Sequence, residues 1–216
     1  MAKAKFVSAL RFKWLTPLYD FFIGVTMPGK SIKEALIKNT YLTDYANVLD
    51  FGCGTATLSI MAKEYRPLAK IKGIDIDKAI LARAAEKIKR RNLDITLADY
   101  NGECLPFDDN CFDRIISCPV FHHLETPVKH KVLAELFRII KTDGQLIIAD
   151  FGRSDSWLQR LLFNLIRGLD GFKPTSANAK GLIPSLITDA GFVNPVIKQK
   201  FKTVFGEVHI FKAIKQ

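Results

Sequence analysis

Three aspartates and two glycines carry the chemistry most legible in this chain. Asp50 ends the apolar run of VLDF, and Gly52 and Gly54 follow it in the stretch VLDFGCGTATL. Glycines so placed let a backbone turn tightly beneath a ligand where a strand hands over to a helix. A carboxylate beside that turn suits a cationic ligand and repels a pyrophosphate. The third glycine of a dinucleotide fingerprint would stand at position 57, which is Thr57. Asp75 comes 21 residues after Gly54, where an acidic side chain can take two ribose hydroxyls. Asp99 follows after another 24 residues. Carboxylates at the C-terminal ends of successive strands face one crevice, the place where open α/β sheets bind ligands.

His122 and His123 are adjacent and add proton chemistry, because imidazole titrates near neutral pH and can serve as a general base. Side by side they point different ways, so they make no metal site, and none is expected elsewhere. Asp150 ends a later apolar run and is a second crevice-facing candidate, with a structural role the commoner fate for such a residue. The cysteines at 53, 104, 111 and 118 contain no Cys-x-x-Cys spacing. With no leader-like start, they point to reduced thiols and a cytoplasmic protein.

These residues need a sheet to hold them. Short apolar runs at 47–51, 70–76, 94–98, 112–117 and 145–150 read as strands. Between them, 55–65, 77–91 and 127–141 carry helical apolar spacing, with Thr55 the expected cap of the first. Such alternation predicts a mostly parallel, Rossmann-like sheet with helices on both faces. After position 151 the rhythm breaks. An apolar helix over 156–169, a polar loop and a helix over 182–190 precede two strands, 193–204 and 207–213. Those two strands predict a C-terminal antiparallel hairpin, and seven strands in all.

Length and composition agree. The chain has 216 residues, 48% hydrophobic and 25% charged, which suits one globular domain and argues against disorder. No apolar run reaches the roughly 20 residues needed to span a bilayer. The formal charge is +10, yet residues 41–150 hold 15 Lys/Arg against 16 Asp/Glu, so the flanks carry the excess. A neutral body with basic flanks suits contact with something anionic, an anionic membrane surface among the options. Two stretches fit: Phe6, Leu10 and Trp14 among Lys3, Lys5, Arg11 and Lys13, and Trp157 to Ile166 with Arg160 and Arg167. Packing of both stretches against the domain itself is the plainer expectation. On this reading residues 1–45 form an N-terminal helical cap, 46–216 the main domain, and 152–181 a substrate lid.

With these residues assembled, the sequence resembles the class I S-adenosylmethionine-dependent methyltransferases. It looks most like the branch of ubiquinone/menaquinone C-methyltransferases and lipid methyltransferases. The likeness rests on four blocks in order: VLDFGCGTATL, GIDID at 73–77, residues 97–124, and ELFRIIKTDGQLIIADF at 135–151. The resemblance implies S-adenosylmethionine as cofactor and S-adenosylhomocysteine as product. It implies that Asp50, Gly52 and Gly54 hold the methionine part, Asp75 the ribose, and Ile76 packs on adenine. Asp99 would take the adenine amino group, Tyr100 would add a backbone contact, and Ser117 would line the pocket. Tyr19 resembles a tyrosine that closes over the cofactor, and with His122 and His123 it completes the set of catalytic candidates. The family's third glycine is Ala56 here, and its Lys-Pro-Gly-Gly is Lys141-Thr-Asp-Gly144. The implied acceptor is a small apolar, aromatic or lipid-like molecule, with nucleic acid not expected. An NAD-dependent oxidoreductase and a cofactor-binding protein without catalysis are the competing readings.

Overall fold

A computed structural model describes residues 28–216. Tyr19 and the apolar and basic residues of the first stretch lie outside the described residues. The first described helix, α1 (Gly29–Thr40), precedes β1 (Asn47–Phe51), α2 (Thr57–Tyr65), β2 (Lys70–Asp75), α3 (Lys78–Arg90) and β3 (Ile95–Asp99). Then come β4 (Phe112–Ser117), a 3-10 turn at Phe121–His123, α4 (Thr126–Ile139) and β5 (Ile140–Gly152). The remainder is α5 (Trp157–Asp170), α6 (Ser176–Lys180), α7 (Ile183–Asp189), β6 (Val193–Thr203) and β7 (Gly206–Ile214).

The seven strands form one sheet in the order β3-β2-β1-β4-β5-β7-β6. The first five are parallel, and β7 runs antiparallel to both β5 and β6. The expected mostly parallel sheet with a terminal hairpin is therefore the observed one. The order reverses between β1 and β4, which opens a crevice at their carboxyl ends.

Side chains alternate along each strand, and the alternation sorts the core into two layers. Leu49, Phe51, Ile115, Leu146 and Ile148 join α4, α6 and α7 on one face. Val48, Ile116, Ile147, Ala149 and Phe151 join α1, α2 and Phe163 of α5 on the other. The same alternation separates two buried carboxylates. Asp50 reaches Ser59 of α2, whereas Asp150 reaches the 3-10 turn and Asn178 of α6.

Most element ends shift by a residue or two from the sequence expectation, the segment read as a polar loop holds α6, and two ends differ more. The helix expected over 55–65, α2, starts at Thr57 behind Ala56, whose φ of 57° is left-handed, and Thr55 supplies no cap. The fifth strand, expected over 145–150, begins earlier, and Asp143–Gly144 form a turn inside β5. Phe112 pairs with Ile140 and Arg114 with Gln145, so the residues between loop out of the ladder. Asp143 there has φ 62° and donates its N–H to Lys215 O at 2.8 Å.

Candidate active site

The turn after β1 is fixed from below. Gly52 N–H and Cys53 N–H both donate to Ile74 O of β2, at 2.8 and 3.0 Å. Gly52 has φ +68°, and a Cβ there would stand 2.4 Å from Val120 Cγ2. Only glycine fits between that turn and the loop after β4. Gly54 is different: at φ +53° its added Cβ would meet nothing closer than Ile80 Cγ2 at 4.0 Å. The turn is thus closed against the protein at Gly52 and open at Gly54, the shape a ligand cradle requires.

Asp75 stands at the mouth of this turn, half-buried. Its Oδ2 accepts from Gly54 N at 2.9 Å and its Oδ1 from Asp77 N at 3.0 Å. A carboxylate has about four acceptor positions, so each oxygen keeps a lone pair for a ligand hydroxyl. Asp77 caps α3 by accepting from Ala79 N and Ile80 N. Asp99 pairs in register with Asp75 across β2–β3, so two of the three predicted carboxylates sit on adjacent strand ends. Lys78 Nζ lies 3.0 Å from Asp99, and its hydrogen bond and charge hold that carboxyl below its ordinary range. Ile76 is partly buried, and a Cβ added at Gly102 of the next loop would stand 3.1 Å from its Cδ1. The Tyr100 ring lies 6.1 Å from that of Phe51, and burial, helped by Asp75, pushes its hydroxyl up to about 12.

Asp50 lies beneath the turn rather than in the open, at 1% exposure. Ser59 Oγ donates to its Oδ2 at 2.5 Å. Burial raises its pKa to about 7 against the opposing pull of Ser59 and Lys33. Ser117, expected to line the pocket, is instead fully buried, and its hydroxyl donates to Phe51 O at 2.9 Å, so it ties two strand ends together rather than facing the crevice.

On the other face, Asp150 organises the loop that carries the histidines. Val120 N–H and Phe121 N–H donate to its Oδ2 at 2.9 and 2.7 Å, and Phe151 N–H to its Oδ1 at 2.8 Å. Its Oδ1 also meets His122 Nδ1 at 3.0 Å and Asn178 Nδ2 at 3.0 Å. Burial works to raise the Asp150 pKa, but the charge and hydrogen bond of His122, with Lys129, hold it below the ordinary value. The His123 ring lies against that of His122, with centres 3.8 Å apart and planes tilted by 43°. Burial, then His122, drives its pKa down to about 3, so it is neutral at physiological pH. Lys129, fully buried on α4, donates to Leu124 O and to Pro174 O, the latter at 2.7 Å. Its pKa is drawn down to about 8 by burial. That one ammonium ties the histidine loop to the 152–181 segment.

Ser59, Lys78, Val120, Lys129 and Asn178 were not singled out from sequence. Only Lys78 carries a local signal, since it follows a capping aspartate beside a predicted carboxylate. Among the described residues no cluster of three or more His, Cys, Asp or Glu could hold a metal.

An adenosyl group with a cationic tail fits the residues present, because an open glycine turn adjoins a ribose-ready carboxylate. The methyltransferase domain family matches residues 48–144. A SAM dependent methyltransferase structure from Aquifex aeolicus superposes with a TM-score of 0.66 at 20% identity, over 90% of this chain and 97% of that one. Over 48–144 the chain is therefore similar to the methyltransferase domain family, and its fold is that of the Aquifex aeolicus structure. Its curated relatives include the demethylmenaquinone methyltransferase of Thermus thermophilus, 32% identical over 66% of this chain and 62% of that protein. That of Listeria welshimeri is 34% identical over 64% and 60%. The chain spans about three-fifths of the length of these relatives.

Proposed function

We propose that the protein transfers a methyl group from S-adenosylmethionine to an apolar aromatic acceptor of quinone type, carried on a lipid-like tail. The observation that carries this reading is the crevice in which Asp75 and Asp99 stand beside the open Gly54 turn. The demethylmenaquinone methyltransferases among its relatives support the choice of acceptor. In this reading 46–216 is the methyltransferase domain, 1–45 its helical cap, and 152–181 the lid over the acceptor. Gly52, Gly54 and Asp50 surround the methionine end, Asp75 binds the ribose, and Ile76, Asp99 and Tyr100 surround the adenine. Ser117 holds the strand end under the pocket, and Tyr19 closes over it.

The bound cofactor supplies an activated methyl on sulfur, so the protein mainly orients the acceptor and excludes water. A quinol carbon becomes nucleophilic when its neighbouring hydroxyl loses a proton. His122 accepts that proton, and Asp150, bonded to Nδ1, fixes the ring's tautomer and charge. His123, held neutral, packs against it. With the methyl donor held by Gly52, Gly54 and Asp75, the acceptor carbon would take the methyl group and its ring proton would pass to solvent, while His122 would return its proton to the oxygen, so that one proton is released per methyl transferred.

The second half of the proposal is location, at the cytoplasmic face of an anionic membrane. No described helix is long and apolar enough to cross a bilayer. On α5, however, Trp157, Leu158, Leu161 and Leu165 are exposed, Trp157 at 71%. Apolar side chains on a basic helix suit the interface of a membrane that holds the substrate. Calorimetric titration with S-adenosylhomocysteine tests the first half, and flotation with phosphatidylglycerol-containing vesicles the second. Micromolar binding and salt-sensitive flotation are expected; no heat from the nucleoside would sink the methyltransferase reading.

Asp50 gives that titration a pH signature. With its pKa raised to about 7, the carboxyl is largely protonated at pH 6. A nearby cofactor ammonium favours the charged form, so binding at pH 6 expels a proton. Affinity should then climb with pH up to about 7 and level off above. At pH 6 the binding heat should depend on the buffer's ionisation enthalpy, and in Asp50→Asn that dependence should vanish. Equal heats in all buffers would place the ammonium elsewhere.

A further inference from the structure

We propose that the pocket between the end of β5 and α5 binds a phosphate oxyanion carried by the protein's ligand or by the membrane. This site goes beyond the methyl-transfer reading and stands without it. The pocket has a volume of about 190 Å³, and Arg153, Arg160 and Arg167 line it together with Ser154, Asn164 and Phe163. That is below the roughly 300–1,000 Å³ of a pocket for a whole small-molecule ligand, and it suits a headgroup.

Charge decides its chemistry. Among the described residues no carboxylate forms an ion pair with any of the three guanidinium groups. The acid nearest in sequence to Arg153, Asp155, is taken by Lys200 at 2.7 Å. Three uncompensated cations around one small cavity repel each other, and an anion there relieves the repulsion. Guanidinium forks match phosphate oxygens in pairs, which an ammonium does not.

The arginines are also held in place. Arg167 donates from Nη1 to Asn164 Oδ1 at 2.9 Å and from Nε to Thr175 Oγ1 at 3.3 Å. Its guanidinium lies over the Phe172 ring at 4.8 Å, and Nη2 has no acceptor among the described residues. The stem of Arg153 runs against Gly181, where a Cβ would stand 3.1 Å from Arg153 Cβ. Arg160, Asn164 and Arg167 share one row of α5 by their spacing of four and three. Exposed Trp157, Leu161 and Leu165 form the row beside it. An apolar row flanking an arginine row favours a phospholipid headgroup as the source of the phosphate.

The test uses Arg153→Gln/Arg160→Gln, leaving Arg167 to hold Thr175 and Phe172. A charge-matched control, Lys198→Gln/Lys202→Gln, changes exposed lysines of β6. Inorganic phosphate is titrated by calorimetry, and vesicles of phosphatidylcholine with and without phosphatidylglycerol are floated. Wild type and control should bind phosphate alike, and the arginine variant about tenfold or more weaker. If anionic vesicles follow the same order, the phosphate is a lipid headgroup. If vesicle binding is equal in all three, the site takes a soluble phosphorylated ligand. Failure of the wild type to bind phosphate, or equal binding by the arginine variant, overturns the proposal. S-adenosylhomocysteine affinity should be unchanged across the set, which checks the fold and keeps the methyltransferase reading separately testable.

Discussion

Replacing Asp75 by alanine is expected to weaken S-adenosylhomocysteine binding about a hundredfold or more. A charged acceptor bonded to two hydroxyls contributes about 1.5–3 kcal/mol per bond, and the ribose offers two. The loss has a second origin in the fold itself. Asp75 Oδ2 also holds Gly54 N–H at 2.9 Å, so alanine frees the turn that should lie under the methionine. Stability should fall as well, by about 1–2 kcal/mol, because Gly54 and Asp77 lose their acceptor. The measurement is a pair: calorimetric affinity and a denaturation midpoint. Affinity should fall by more than stability does. A variant that binds as tightly as the wild type would remove Asp75 from the cofactor site altogether.

Asp150→Ala should be the most damaging single change to the fold, at about 3–5 kcal/mol, because it leaves buried donors without their acceptor. Those donors are the Val120, Phe121 and Phe151 N–H groups, His122 Nδ1 and Asn178 Nδ2. Against a typical total of about 5–15 kcal/mol, that can unfold the chain. Asp150→Asn keeps the shape and is the usable kinetic variant. It should lower kcat and shift the acidic limb of the pH–rate profile, since the carboxylate no longer favours charged His122. A merely structural Asp150 would lower stability and leave that limb in place. Acid stability gives an independent check. Because the folded pKa lies below the unfolded one, the stabilisation is complete above about pH 4 and drains away as pH falls through the folded value. Asp150→Asn should flatten that part of the stability curve.

The strands were legible because a buried parallel sheet writes near-continuous apolar runs. Asn47–Phe51 and Phe112–Ser117 have the bounds read from sequence, and Asp77 caps its helix through a local signal. Thr55 misled because tertiary contacts, not a side-chain cap, set that helix start. The turn is held from below by Ile74, so Ala56 takes the left-handed conformation that brings the chain into α2. In the site, three strand-end carboxylates were readable, but their environments were not. Asp50 and Asp150 look alike in sequence, each ending an apolar run, yet they fall on opposite faces and titrate in opposite directions. Their partners Ser59 and Asn178 come from separate helices, and no local pattern announces them. Lys129 shows the same limit: a lysine within a helical apolar stripe gives no hint that two distant carbonyls await it.

The position of β7 has a consequence for how the sheet is assembled. It lies between β5 and β6, although β6 precedes it in the chain. On a ribosome, β6 emerges with no neighbour to join, and β5 shows an open edge of unpaired backbone groups. Only when β7 arrives can both be satisfied at once. The register that β7 makes with β5, from Gln145–Ile214 to Gly152–Glu207, spans the strand that holds Asp150. Closure of the sheet and completion of the histidine loop's support are therefore one late event in the life of a new chain. During that interval the nascent protein is exposed to edge-to-edge pairing with its neighbours, and its half-built crevice has no firm wall.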